Sequence, residues 1–572
     1  MIRHSWLVLV AACTAAAPER PAPQLPAAWT ATHPATVASA DTEMVVSASP
    51  YATRAGLAVL RAGGNAVDAA VTVAFTLAVT YPTAGNLGGG GFLVSRMGDS
   101  SHALDFREVA PGRASRDMYV GADGKVTEQS VTGALAAGVP GSVAGLWAAH
   151  QRLGSRPWAE LVQPAIDLAR NGFAADAAYL EDLEWDEKRL ARFASTRAVY
   201  LPGGKRPAPG DTMRNPDLAA TLERIAASGR DGFYRGQTAA LIAAEMRRSN
   251  GLITEADLAA YEPVWREPVT FSYRGHRIVS MPPASSGGLT LGLIFGILEG
   301  IDLGAMGWHS PQAIQMLAGA ERHAFARRNT LLGDPKFVSI PEASFLSPDT
   351  AAALRAALVA GDRREQVPAD PVPGKHTTHF SIVDARGNAV ALTTTLNGGY
   401  GSALTVGGAG FLLNNEMDDF TTQVGVVNAM GLRQGEANAI APGKRMLSSM
   451  TPTIVLDSTG ATVIVTGASG GARIITAVAQ VLSDALDFQL PLGTSMTAPR
   501  FHAQDFPDSL LVEDGGYSDA QLAALAAAGH HPSRTAPWGY DFGWAQTIRR
   551  RAGGRGWEGV SEPRGNGLAA GR

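Results

Sequence analysis

Apolar residues recur along this chain with two periods, one helical and one of two residues. Over Pro50–Ala62 the helical period places Leu57, Val59 and Leu60 in the core, and Gly63 and Gly64 stop the helix. Asn65 is then positioned to cap a second, alanine-rich helix over Ala66–Val79. Helical spacing returns over Ser142–Arg152, Trp158–Asn171, Leu218–Ser228, Thr238–Ser249 and Ser310–Arg327. Apolar runs predict strands at Glu43–Ser49, His102–Pro111, Val269–Phe271, His276–Met281 and Thr462–Thr466. Pro282–Gly288 reads as a turn that leads into a buried helix and carries no chemistry. Leu289–Leu298 is apolar but brief, and Glu299 interrupts it, so no segment beyond the start of the chain is expected to span a bilayer.

The two-residue period is clearest between Lys375 and Asn397. Asp384–Asn388 has the make-up of a three-residue hairpin loop, with Gly387 in the left-handed position. Counting outward, Ile382 faces Val390, Phe380 faces Leu392 and Thr377 faces Thr395. Directly opposed side chains on an antiparallel pair lie about 5 Å apart at Cβ, so Thr395 can hydrogen-bond Thr377. Asn397 falls on the same face. A cluster of hydroxyls and an amide at one strand end resembles a reaction centre. A threonine-rich strand chosen for β-propensity accounts for the same residues.

Upstream, Gln366–His376 contains three prolines and a glycine and is expected to be an exposed loop. A loop of this kind running into a threonine-led strand points to cleavage at His376–Thr377. Cleavage would free the α-amino group of Thr377. With a reference pKa of about 7.7–8.0, that amine can serve as the threonine's own general base. A threonine paired with an N-terminal amine is one way to activate a weak hydroxyl nucleophile.

Composition narrows the possibilities further. The 572 residues are 45% apolar and 17% charged, enough for a large core. The net charge of −4 provides no electrostatic footprint for nucleic acid, and no metal-ligand cluster stands out. Arg3 and His4 precede the apolar Trp6–Ala12, so residues 1–12 read as a targeting segment. Cys13, the single cysteine, follows Val10-Ala11-Ala12 as in a bacterial lipoprotein box; a plain secretory signal cut near Ala17 is the alternative. Residues 13–40, rich in proline, read as a tether. Pro82–Gly91 (PTAGNLGGGG) is a glycine-rich turn. No GK[ST] follows it, so close backbone packing beside a site fits it better than a phosphate cradle.

Four motifs in order resemble the γ-glutamyltransferase family of N-terminal nucleophile hydrolases. They are TTHFSIVDARGNAVALTTTLN from Thr377, LLNNEMDDF (Leu412–Phe420), KRMLSSMTPTIV (Lys444–Val455) and GASGGARIIT (Gly467–Thr476). The resemblance extends from about Met44 to Arg564. It implies an α+β fold, a four-layer αββα sandwich, made as one precursor and cut into a large subunit (41–376) and a small catalytic subunit (377–572). It also implies γ-glutamyltransferase and glutathione hydrolase activity with no cofactor. In this reading Thr377 attacks the γ-amide, Thr395 supports it, and the N–H groups of Gly470 and Gly471 hold the oxyanion. Arg107 grips the donor's α-carboxylate with Ser448 and Ser449, while Glu416 and Asp419 take its α-ammonium and Asn397 completes the site. By residue type alone, Arg107 could equally be a surface partner of Glu108.

The partners implied are glutathione and other γ-glutamyl donors, amino acid or dipeptide acceptors, and the two subunits themselves. Membrane contact is expected only through lipid on Cys13, in the periplasm and on the outer rather than the inner membrane. Thr421–Gly443 resembles the family's mobile lid. Two departures bear on substrate preference. Met430 stands where many members carry a lid tyrosine, and Gly398-Gly399 follows Asn397 where threonines are frequent. The nearest rival is a glutaryl-type β-lactam acylase of the same fold, and a processed but inactive binding lipoprotein is another. An ordinary serine hydrolase fails for want of a nucleophile elbow with a partner triad.

Overall fold

A computed structural model describes residues 25, 27–361, 376–535 and 542–572. The targeting segment, Cys13 and the proline-rich stretch before His376 lie outside them. Two seven-stranded sheets form the centre of the molecule. Every pairing within them is antiparallel.

The layers follow from strand alternation. In one sheet Val45, Leu93, Leu104, Ile382, Val390 and Leu392 pack with helices Pro50–Arg61, Ala66–Thr80 and Trp158–Asn171. Their neighbours Met44, Val46, Phe92, Val94, Ala103, Ala389 and Ala391 turn the other way, toward Val279, Ile454, Val465 and Ile548 of the second sheet. Helices Gly287–Leu298, Pro311–Leu331 and Arg473–Leu486 cover the far side of that second sheet. Successive strand side chains point to opposite faces, so a sheet buried on both sides is apolar at every position. The resulting order is helices, sheet, sheet, helices, as expected from the sequence.

Strands from before and after the His376–Thr377 bond are interleaved in both sheets. In the first, His376–Val383 and Ala389–Gly398 lie between Met44–Ser47 and Gly90–Met97. In the second, Thr453–Leu456 lies against His276–Ser280. A cut at that bond would leave two pieces that share one core.

Local signals placed most elements. Asn65 caps Ala66–Thr80 by accepting from the Val67 and Asp68 N–H groups, and the Asp68 carboxylate in turn accepts from the Asn65 N–H. The helix Trp158–Asn171 and the strand Thr462–Thr466 have the expected bounds. The Asp384–Asn388 turn closes through an Asp384 N–H bond to the Asn388 carbonyl at 3.0 Å, with Gly387 at φ 79°. Two expectations are corrected. The strand before Arg107 ends at Asp105, so Arg107 and Glu108 stand in the segment that follows it. They are also buried rather than on the surface, at 1% and 0% exposure. Among the described residues, no helix is long and apolar enough to cross a membrane.

Candidate active site

The hairpin register runs as counted from the turn down to Thr378, which pairs with Thr394. There the ladder breaks, and His376 pairs with Gly398. Thr377 sits in the break at φ 71°, and Asn397 on the facing strand is at φ 73°. A β-branched residue with positive φ is an outlier that its surroundings must enforce. The expected contact nevertheless forms, because the Thr377 hydroxyl donates to Thr395 Oγ1 at 3.1 Å. Thr395 Oγ1 also accepts from the Asn397 N–H at 2.8 Å. This arrangement directs the Thr377 proton toward Thr395.

The glycine-rich turn holds this strand end from below. Asn86 donates to the Thr395 carbonyl at 2.9 Å and to Thr394 Oγ1 at 3.0 Å. A Cβ on Gly89 would lie 2.0 Å from the Thr395 carbonyl oxygen, so only glycine fits there. The close-packing reading of this turn is the one the geometry bears out. Neither Asn86 nor this contact was singled out in the sequence, although an asparagine inside a glycine-rich turn is a detectable signal.

Arg107 is fixed at its backbone before its side chain acts. Its N–H donates to Asp105 Oδ1 at 2.9 Å, and its carbonyl accepts from the Tyr261 hydroxyl at 2.8 Å. Its guanidinium donates to Glu416 through Nη1 and to Asp419 through Nη2. Glu108 lies 3.7 Å from Nη1. Burial works against the Arg107 charge, but Glu416, Asp419 and Glu108 outweigh it, and its pKa rises. Burial raises the carboxyls in turn, against the opposing pull of Arg107. Glu416 goes well above the usual carboxylate range, Asp419 rises, and Glu108 is pushed up to about 7. Among the described residues, Glu416 Oε2 and both Glu108 oxygens have no hydrogen-bond partner. The groups expected to hold a donor's carboxylate and its ammonium are thus bonded to each other.

Ser448 is set by the turn at Pro282–Gly288, to which the sequence reading gave no chemistry. Ser448 N–H donates to the Ala284 carbonyl at 3.0 Å, and its carbonyl accepts from the Ser286 N–H at 2.8 Å. Gly470 and Gly471 stand at φ 114° and 59° between strand Thr462–Thr466 and helix Arg473–Leu486. That conformation is open to glycine and strained for other residues.

One cavity gathers Thr377, Thr395, Asn397, Arg107, Glu416, Asp419, Ser448, Ser449 and Gly471. Gly470 sits one residue back and is not part of its lining, and only the backbone of His376 is described. Arg328 also lines it, as do Met430 and Leu432 from Thr421–Gly443. Arg328 was missed in the sequence, because the helix carrying it extends past the expected end at Arg327 to Leu331. The free volume is about 20 Å3, room for one water.

Residues 52–572 match the family profile described as Gamma-glutamyltranspeptidase. The chain is 44% identical over 497 residues to a glutathione hydrolase proenzyme of Escherichia coli (strain K12), covering 85% of each chain. It is also 44% identical over 546 residues to a glutathione hydrolase proenzyme of Pseudomonas aeruginosa, covering 93% of this chain and 95% of that one. Among solved structures, a cephalosporin acylase from Bacillus halodurans superposes with a TM-score of 0.83 at 26% identity, covering 97% of this chain and 99% of that one.

Proposed function

The chain belongs to the γ-glutamyltranspeptidase family, and from that premise we propose that Thr377 is the nucleophile with which it hydrolyses glutathione and transfers γ-glutamyl groups. The observation that carries the assignment is the Thr377–Thr395 contact of 3.1 Å in the same cavity as the Arg107–Glu416–Asp419 cluster.

The hydroxyl acts first on its own chain. Thr377 Oγ1 attacks the His376 carbonyl carbon, the C–N bond breaks, and the acyl group passes to oxygen as an ester. Water then hydrolyses the ester, leaving a carboxylate on His376 and a free amine on Thr377. The positive φ of Thr377 supports this step, since strain of about 1–3 kcal/mol at such a residue is released when the bond is cut. In the second reaction the new amine takes the hydroxyl proton and Oγ1 attacks the γ-amide. Gly470 and Gly471 N–H groups receive the oxyanion. The amine product leaves, cysteinylglycine in the case of glutathione, and water or an amino acceptor takes the acyl group. The two pieces on either side of the cut are the large subunit, 41–376, and the small subunit, 377–572.

Charge decides between a γ-glutamyl donor and a glutaryl one. Three carboxyls, the buried Glu108 and Glu416 and the partly buried Asp419, already surround Arg107. A zwitterionic amino acid head can exchange into this cluster, its carboxylate taking Arg107 and the serines while its ammonium takes Glu416 and Asp419. A glutaryl group brings a carboxylate alone and leaves the acids without a cation. The cavity must also widen to admit any donor, and Thr421–Gly443 is the segment that would move. The test is hydrolysis of glutathione and of a glutaryl β-lactam, assayed side by side. Preference for glutathione is expected, and preference for the glutaryl compound would transfer the assignment to an acylase.

Residues 1–12 and Cys13 support export and lipid anchoring of the mature enzyme in the periplasm, on the outer membrane.

A further inference from the structure

Arg328 is fully buried in helix Pro311–Leu331, yet it lines the active-site cavity. All of its hydrogen-bond partners are neutral. Nε donates to Ser286 Oγ at 3.0 Å, and Nη1 donates to Asn329 Oδ1 at 2.9 Å and Gln434 Oε1 at 3.0 Å. Nη2 donates to Ser449 Oγ at 3.0 Å. Among the described residues no carboxylate lies within ion-pair distance of it. Burying a guanidinium without a bonded anion costs free energy, and burial holds its pKa down at about 10, with Asp419 opposing and Arg107 adding to the shift. A buried cation with no anion bonded to it, beside a cavity, is suited to an anionic group that arrives from outside.

The hydroxyl orientation follows from donor and acceptor counting. Ser449 Oγ already accepts from Arg328, so its own proton is free to be donated elsewhere. Ser448 Oγ is in the same state, because it accepts from the Met450 N–H at 3.1 Å. Both serines are thereby set as donors toward the cavity. Gln434, which holds Nη1 of Arg328, also donates to the Asp419 carbonyl at 3.0 Å, so Arg328 links the serine pair to the segment that bears the ammonium-binding acids.

We propose that Arg328 is a positioning residue for donor binding, which sets Ser449 as a hydrogen-bond donor and lends its buried positive charge to the donor's α-carboxylate through that serine. The inference rests on the reading of Ser449 as a carboxylate ligand. Arg328 does not touch the reacting atoms, so its loss acts on binding rather than on the acyl transfer itself.

The test uses the processed enzyme with a γ-glutamyl anilide as donor. Variants Arg328→Gln, Arg328→Lys, Ser449→Ala and the double variant Arg328→Gln/Ser449→Ala are compared. Arg328→Gln is expected to raise KM about tenfold with little change in kcat. Arg328→Lys, which keeps the charge but not the fork, should fall between it and wild type. In the Ser449→Ala background the Arg328→Gln change should add little. A Ser449→Ala KM equal to wild type would overturn the carboxylate role of the serine itself. A raised Ser449→Ala KM with additive losses in the double variant, or an Arg328→Gln loss confined to kcat, would overturn the proposal and leave that role standing. If Arg328→Gln remains uncut or unfolded, Asn329→Asp replaces it. Among the described residues Asn329 Nδ2 has no hydrogen-bond partner, so this change loses none of the described bonds and places an anion beside the guanidinium. It should raise KM several-fold at unchanged kcat, and an unaltered KM would equally overturn the proposal.

Discussion

Arg107 donates one end of its guanidinium to Glu416, a residue 309 positions further along the chain. The other end goes to Asp419. In the proposed mechanism the donor's head group exchanges into both contacts, so the acids should matter in proportion to the charge that the donor carries.

Asp419→Ala should therefore lower kcat/KM for glutathione by about ten- to a hundredfold, the worth of one hydrogen bond to a charged group. The loss on a glutaryl anilide, which has no ammonium, should be far smaller. Arg107→Lys retains the charge but loses the planar fork and should also be costly on glutathione. Equal losses of Asp419→Ala on both donors would mean that Asp419 supports the fold rather than the substrate.

The strand end that carries Thr395 depends on a missing side chain. Gly89→Ala would place a methyl carbon 2.0 Å from the Thr395 carbonyl oxygen and 2.7 Å from Asn86 Oδ1. Overpacking of this kind costs about 1–3 kcal/mol. A lower Tm and slower precursor cleavage are expected together, read by thermal melts and by gel. An unchanged Tm with full cleavage would contradict the packing described.

How much of this was legible in the sequence depended on contact range. The hairpin was readable because its partners are a few residues apart and the Asp384–Asn388 turn sets their register. Counting outward succeeded as far as Thr378 and Thr394. It stopped there because the left-handed backbone of Thr377 and Asn397 is imposed by tertiary contacts, which strand periodicity does not encode. The pairing of Arg107 with Glu416 was out of reach of any local rule. Resemblance alone brought those two residues to one site, and it assigned them to opposite charges of a substrate without showing that they meet. Arg328 carried no signal at all, since a helix position records neither what its side chain reaches nor that it is buried.

Two buried groups should shape stability against pH in opposite directions. Burial lowers the His379 pKa from 6.5 to about 3, so the unfolded chain binds a proton that the folded one refuses. Its contribution is fully present above the unfolded value of 6.5 and is lost as pH falls toward 3. Glu108 is raised from 4.5 to about 7 by burial, with Arg107 opposing, so the folded chain keeps a proton that the unfolded one releases. Its contribution is lost as pH rises from 4.5 through 7. Glu108→Gln removes that second loss. The Tm of Glu108→Gln relative to wild type should be higher at about pH 8 than at about pH 4. A difference independent of pH would contradict the assignment of a raised Glu108.

Anchoring is tested at the mature N-terminus. Mass spectrometry of membrane-extracted protein should find lipid on Cys13 as the first residue. A plain N-terminus further along the chain would remove the anchor and leave only export.

The central claim is that Thr377 cuts its own chain before it attacks substrate, and the most direct test is the intact mass of purified wild-type and Thr377→Ala protein. Wild type should give two fragments meeting at His376–Thr377, and Thr377→Ala should give one uncut chain, because the hydroxyl that begins the acyl shift is gone. A Thr377→Ala protein still split at that bond would show that another agent makes the cut and would contradict the account.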